Sequence, residues 1–227
     1  MRNLPDRVWK LPQNEDDEAA EGGIGRILAL SDGVFAIAMT LLTLEIAVPA
    51  ATIDTHLPKA LLELWPQYLA YFLSFVVIAR FWVAHHLYFR LIGRYDSVLV
   101  WLNLLLLMFV AFLPFPTAVL GTHNGSPAAA VLYTVAVILA GTASVAYWWY
   151  ASGRGRLLRP DIGQARVRAL RARGLISPVF FALTLPVAAF APYAAEALWF
   201  LAFPLTRITY VWFIGKERQT ADLGPQA

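Results

Sequence analysis

The segment RILALSDGVFAIAMTLLTLEIAVP, residues 26–49, decides how the rest of the chain folds. It is an apolar run of roughly 22 residues, which is long enough to cross the hydrocarbon core of a bilayer as a helix. The run nevertheless contains Ser31, Asp32 and Glu45. Ionisable side chains inside a membrane are costly and usually face the interior of a helix bundle or water. The segment is therefore predicted to be a membrane helix that does more than anchor the chain.

The polar and apolar residues of this helix fall on different faces. At about 100° per residue, one apolar stripe lies within about 60° of Leu41 and contains Val34, Ile37, Leu44 and Val48. Asp32 lies about 180° from the stripe, and Glu45 lies about 40° from it at the far end. The pattern predicts a stripe able to line a constriction and a carboxylate directed towards neighbouring helices.

Composition indicates a polytopic membrane protein. The 227 residues are 59% hydrophobic and 15% charged, with a mean hydropathy of +0.59, which argues against a soluble domain. The net charge of +3 does not indicate a nucleic-acid partner, because the basic residues lie where membrane topology explains them. With no cysteine, the chain has neither disulfides nor a thiolate metal site.

The hydrophobic segments predict an all-α fold with six transmembrane helices in a domain spanning residues 26–215. A flexible tail over residues 1–25 and a short tail over residues 216–227 are predicted to flank it. After the first helix, the predicted helices are 65–92, 97–120, 128–151, 174–193 and 195–214.

The distribution of basic residues predicts the orientation in the membrane. Arginines concentrate between the second and third helices and between the fourth and fifth, whereas Lys59 is the only lysine or arginine in the opposite loops. Both termini are therefore predicted to be cytoplasmic, with the basic loop in contact with lipid head groups.

With this topology, four polar residues of the first three helices reach the same depth. Asp32, His85, His86 and Asn103 each lie roughly 10 Å from the cytoplasmic surface. We interpret them as a structural cluster that fixes helix register, with a histidine or Arg26 as the partner of the carboxylate. A proton relay is the alternative. Adjacent histidines point about 100° apart on a helix, so no metal site is predicted.

Residue patterns in three segments resemble one known family. Arg26, followed by Leu30-Ser31-Asp32 and then Gly-Val-Phe-Ala-Ile-Ala, is similar to the first helix of the transmembrane protein 175 family of potassium channels. Ser74-Phe75, Phe81-Trp82 and His85-His86 are similar to the second helix of that family. Asn103 and Leu113-Pro114-Phe115 are similar to the third.

The resemblance implies a homotetramer in which the first helix of each subunit surrounds a central pore. Ile37, Leu41 and Leu44 would form the constriction, with Thr40 and Thr43 supporting the pore helix and Glu45 at the outer mouth. Potassium and other monovalent cations would be the permeant ions, in a bacterial plasma membrane and without a cofactor or enzymatic activity.

Two interpretations compete with this one. On periodicity alone, Ile37, Leu41 and Leu44 are ordinary packing residues. A proton-coupled secondary transporter would instead use Asp32, His85 and Arg80, and would be favoured by inverted repeats, which the sequence does not display. An intramembrane enzyme or scaffold has only the histidine pair in its favour, since no nucleophile elbow or phosphate-binding loop is present.

Overall fold

A computed structural model of the chain describes residues 13–48, 56–153 and 157–200. The described chain is helical, and its only extended pairing is an isolated bridge between Ile92 and Leu158. The helices with both ends in these ranges are α1 (Gln13–Leu44), α2 (Leu57–Glu63), α3 (Trp65–Phe89), α4 (Ser97–Phe112), α5 (Pro114–Thr122), α6 (Pro127–Ser152) and α7 (Gln164–Phe190). Residues 192–200 are also helical. The predicted all-α class is confirmed.

Five segments of the described chain are long and apolar enough to cross a membrane. They are Gly22–Leu44, Trp65–Phe89, Ser97–Thr122, Pro127–Ser152 and Gln164–Phe190. These segments match the first five predicted helices. The sixth, predicted for residues 195–214, begins within the helical stretch 192–200 and otherwise lies outside the described residues.

The first helix begins earlier than the sequence analysis predicted. Residues 13–25 were assigned to a flexible tail, but α1 starts at Gln13 and continues without interruption to Leu44. Four acidic residues at positions 15–18 precede two alanines. Acidic residues favour the first turns of a helix because its N-terminal end carries a partial positive charge, and alanine is the strongest helix former. The helix therefore includes the second half of the segment that was assigned to the tail.

The fifth membrane helix also begins earlier than predicted. It was expected at Gly174, after an arginine-rich loop, whereas α7 starts at Gln164. The segment between these positions, QARVRALRAR, is rich in alanine, leucine and arginine, which are strong helix formers. Val167 and Leu170, three residues apart, are buried on one side of this first part. The arginines at 166, 168, 171 and 173 consequently lie on a helix and not in a loop.

The third membrane segment consists of two consecutive helices. α4 ends at Phe112 and α5 begins at Pro114, whose nitrogen has no hydrogen to donate to the carbonyl of Val110. The amide of Leu113 donates to that carbonyl instead, at 3.2 Å, and the hydroxyl of Thr117 donates to the Leu113 carbonyl at 2.8 Å. The break therefore leaves these carbonyls hydrogen-bonded, as a membrane environment requires.

The helices pack in two groups that meet at α4. α1 lies against α3, α4 and α5, whereas α6 lies against α4 and α7. Small residues allow close approach between α6 and α7: a Cβ atom on Gly141 would lie 3.2 Å from the Cβ of Pro178. At one end of the bundle, the loop after α3 pairs with the loop before α7, where the amide of Gly93 donates to the Leu157 carbonyl at 2.8 Å. α1 thus has one face against the bundle, and its other face is open.

Candidate pore helix and polar cluster

The apolar stripe of α1 is uncovered in the single chain. Ile37 is 60% exposed, Leu41 is 39% exposed and Leu44 is 74% exposed. On the adjacent face, about 60–120° around the helix from Leu41, Phe35, Ala38 and Leu42 are buried in the core. The stripe and the buried face are therefore distinct, and no described part of the chain covers the stripe.

The polar residues that flank the stripe have local partners or face outwards. The hydroxyl of Thr40 donates to the carbonyl of Ile37 at 2.9 Å, and Thr43 is exposed. Glu45 is half-buried directly after the end of α1. Near it, the amide of Ala47 donates to Oε1 of Gln67 at 3.2 Å, which ties this end of α1 to α3.

A buried chain of hydrogen bonds joins α1, α3 and α4. Nε2 of His85 and Oδ1 of Asn103 are 2.8 Å apart, Nδ2 of Asn103 donates to Oγ of Ser31 at 3.1 Å, and Ser31 donates to the carbonyl of Ile27 at 2.8 Å. An amide oxygen can only accept, so the hydrogen in the first bond must belong to Nε2 of His85. His85, Asn103 and Ser31 are each almost completely buried. The chain fixes one side of α1 against the two neighbouring helices.

Asp32 makes a separate set of contacts on the rim of this chain. Nε1 of Trp82 donates to Oδ1 of Asp32 at 2.8 Å, and Nδ1 of His86 lies 3.6 Å from the same oxygen. The rings of Trp82 and His86 are in contact, with centroids 4.7 Å apart. His86 therefore forms an ion pair with Asp32 when it is protonated, whereas Trp82 is a hydrogen-bond donor at any pH.

The predicted site residues thus divide into two pairs rather than one cluster. His85 binds Asn103 and His86 approaches Asp32, because adjacent residues of α3 point in different directions. Arg26, the other candidate partner of Asp32, is exposed and forms no ion pair with it. Arg80 belongs to neither pair; it is half-buried and lines a cavity between α3, α6 and α7.

Sequence reasoning missed two contacts. It did not identify Trp82 as the donor to Asp32, although Trp82 lies four residues before His86 and so on the same face of α3. It also missed a second buried polar group, in which the hydroxyl oxygens of Thr117 and Ser74 are 2.8 Å apart and those of Ser74 and Tyr133 are 3.2 Å apart. Helical spacing gave a signal for the first of these contacts. The second joins α3, α5 and α6 and has no comparable signal.

Taken together, the fold and the site define an all-helical membrane protein. Its first helix is held on one side by the hydrogen-bonded residues Ser31, His85 and Asn103, which we call the polar network. On another side the helix has a bare apolar stripe. The family model described as endosomal/lysosomal potassium channel TMEM175 matches residues 26–114. A potassium channel of Streptomyces collinus is 42% identical over 168 residues, which cover 72% of this chain and 82% of that protein. A potassium channel of Chamaesiphon minutus is 41% identical over 169 residues, which cover 70% of this chain and 83% of that protein.

A solved structure agrees with these sequence matches. The crystal structure of a lysosomal potassium-selective channel TMEM175 homologue from Chamaesiphon minutus superposes with a TM-score of 0.73 at 33% identity, covering 84% of this chain and 97% of that one. The chain therefore belongs to the TMEM175 family. This family consists of ion channels and not of enzymes.

Replacing Asn103 by leucine is expected to lower the free energy of unfolding by about 1–3 kcal/mol, because the buried Nε2–H of His85 and the oxygen of Ser31 then lose a partner. Thermal denaturation of the purified protein in detergent measures the loss. The double variant Asn103→Leu/His85→Phe removes both members of the bond and is expected to be more stable than the sum of the single losses predicts. Strictly additive losses would contradict the hydrogen-bond interpretation.

Replacing Trp82 by phenylalanine is expected to lower the free energy of unfolding by about 1 kcal/mol, because Asp32 loses its hydrogen-bond donor. Trp101→Phe is the matched control, since Trp101 is 71% exposed and is not the tryptophan that donates to Asp32. The same denaturation measurement compares them. Equal effects of the two substitutions would show that the bond to Asp32 does not stabilise the protein.

Proposed function

We propose that the chain forms a potassium-permeable cation channel of the bacterial plasma membrane, in which α1 from each of four identical subunits surrounds a central pore. The observation that carries this proposal is the bare stripe formed by Ile37, Leu41 and Leu44 on a helix whose adjacent face is buried. Relatives at 41–42% identity are named potassium channels, which supports the choice of ion.

The requirement for several subunits follows from geometry. One helix cannot enclose a pore, so a stripe that lines one must be repeated around an axis. Identical subunits usually assemble with closed cyclic symmetry, which brings the same face of each α1 to the axis. In such an arrangement the stripe residues face one another and the buried face stays within its subunit.

The constriction would consist of three aliphatic rings, from Ile37, Leu41 and Leu44. Rings of branched aliphatic side chains exclude water and so raise the barrier for any hydrated ion. They provide no carbonyl oxygens to replace the hydration shell. The preference for potassium over sodium therefore rests on the lower cost of partly dehydrating the larger ion, and it is expected to be modest.

Residues beside the stripe have supporting roles in this proposal. Thr40 and Thr43 lie next to it, where their hydroxyls can reach the pore helix of a neighbouring subunit. Glu45, close to the end of α1, would form an acidic ring that raises the local cation concentration at the outer mouth. The channel needs no cofactor, and its other partners are monovalent cations and membrane lipids.

The polar network would hold the pore helix in its rotational position. Asn103, Ser31 and His85 are buried on the side of α1 away from the stripe, so they do not meet permeating ions. Asp32 is bound by Trp82 on the same side of the helix. Ion flux through the pore is then independent of proton binding at His85, in contrast to a proton-coupled transporter.

The double substitution Ile37→Asn/Leu41→Asn is expected to increase potassium flux several-fold and to move the potassium-to-sodium flux ratio towards one, because amide side chains allow water into the constriction. Flux is measured from liposomes that contain the purified protein, with each ion in turn. Wild-type flux is expected to rise without saturation as the ion concentration increases.

Leu183→Asn provides the matched control, since Leu183 is 72% exposed on α7 and lies outside the stripe. It should leave both the rate and the ratio unchanged. Saturable flux that is insensitive to the Ile37 and Leu41 substitutions, or no flux from well-folded oligomers over a range of pH and voltage, would refute the channel proposal.

A single cysteine at Leu41 is expected to crosslink subunits, because the stripe residues of neighbouring α1 helices face a common axis. The chain has no native cysteine, so the introduced thiol is the only one present. Membranes that contain Leu41→Cys are treated with a short bismaleimide, and the products are separated by denaturing electrophoresis. A dimer, the largest product that one thiol per subunit allows, is expected for Leu41→Cys and only monomer for Leu183→Cys; monomer alone for both would contradict an axial α1.

A further inference from the structure

Arg80 contributes to a cavity that does not include Ser31, His85 or Asn103, although Trp82 and His86 are among its lining residues. The cavity has a volume of about 780 Å³ and lies between α3, α6 and α7. Binding sites for small molecules typically have volumes of about 300–1,000 Å³. No described residue fills this space.

The charged lining of the cavity is basic. Arg80, Arg90 and Arg173 all contribute to the wall, and none of the described lining residues is acidic. Arg80 and Arg173 are close enough to repel each other electrostatically. Arg80 forms no hydrogen bond or ion pair with another described residue. A positive charge in a membrane segment is costly without a counter-charge, so the cavity favours an anion.

The rest of the wall is mainly apolar. Phe75, Phe181 and Trp199 line it, while Val83 and Ile176 are lining residues with exposed side chains. Arg80 lies nine residues before Phe89, the last residue of α3. Its position along the helix axis is therefore about 14 Å from the end of α3. A small soluble anion would match the arginines but not the apolar wall. An amphiphile with an anionic head matches both.

We propose that this cavity binds an anionic phospholipid, with Arg80 and Arg173 contacting the phosphate and an acyl chain lying along the apolar wall between α3 and α7. Basic pockets between membrane helices on the cytoplasmic side are suited to anionic head groups, and the cytoplasmic side is where the sequence predicts this end of α3. The bound lipid would bridge α3, which carries the polar network, and the outer helix α7. The site does not depend on the pore.

Native mass spectrometry of the purified protein tests this proposal. The protein is mixed with palmitoyl-oleoyl phosphatidylglycerol or with phosphatidylcholine of the same acyl chains. Phosphatidylglycerol is expected to be retained preferentially. The double variant Arg80→Gln/Arg173→Gln should lose that retention several-fold. Arg168→Gln should not, because Arg168 is exposed on α7 and is not among the lining residues.

A second variant tests the volume of the cavity without changing its charge. Ser177→Phe is expected to fill part of the cavity without removing an arginine, and it should also lower retention of phosphatidylglycerol several-fold. This variant decides the matter if the arginine variant does not fold. Ser177 is a lining residue and is half-buried, so a larger side chain can enter the cavity.

Three results would overturn the proposal. Equal retention of the two lipids would show that the head-group charge is not recognised. Displacement of phosphatidylglycerol by millimolar glycerol phosphate or inorganic phosphate would identify a site for soluble anions. Retention that is unchanged in both the arginine variant and Ser177→Phe would show that another occupant, such as the chain's own residues after position 200, fills the cavity.

Discussion

The rotation of α1 depends on the need to satisfy polar groups that are buried where water is scarce. Asn103 has a partner for both its carbonyl oxygen and its NH₂ group when His85 lies on one side of it and Ser31 on the other. Those three side chains come from three different helices. A rotation of α1 by one residue, about 100°, would carry Ser31 away from Asn103 and leave buried groups unpaired. The same rotation would also bury part of the stripe, so the polar network determines which face of α1 stays bare.

The surrounding helices make this arrangement rigid. His85 packs against Phe89, with ring centroids 4.4 Å apart, and Tyr88 stacks on Trp148 at 4.5 Å, which joins α3 to α6. At the end of the bundle, Asp96 accepts hydrogen bonds from the amide of Leu99 and from the hydroxyl of Tyr150, which joins the start of α4 to α6. α1 itself has no comparable aromatic contacts on its stripe side. The proposed pore helix is therefore held on the side away from its stripe, by helices that are themselves firmly packed.

The sequence predicts the features that depend on one helix at a time. Periodicity alone separates Leu41 from Asp32 and predicts that His85 and His86 diverge. Helix boundaries were less accurate where composition gives competing signals: the charged residues around Arg168 suggested a loop, although alanine, leucine and arginine all favour a helix. Contacts between helices were mostly beyond prediction, because Trp82, Thr117 and Tyr133 meet their partners only after packing sets the distance and rotation of each helix.

The separation of polar and apolar faces also bears on selectivity. A carboxylate at the constriction itself, unlike one at the wider outer mouth, would bind partly dehydrated cations strongly and distinguish them by charge density, which favours sodium over potassium. Asp32 is held by Trp82 on the side of α1 opposite the stripe, so in the proposed tetramer its charge is kept away from the constriction. Aliphatic rings bind no ion and penalise each one by the water it must lose. Because potassium holds its water less tightly, keeping the carboxylate behind the pore helix would favour potassium in the proposed channel.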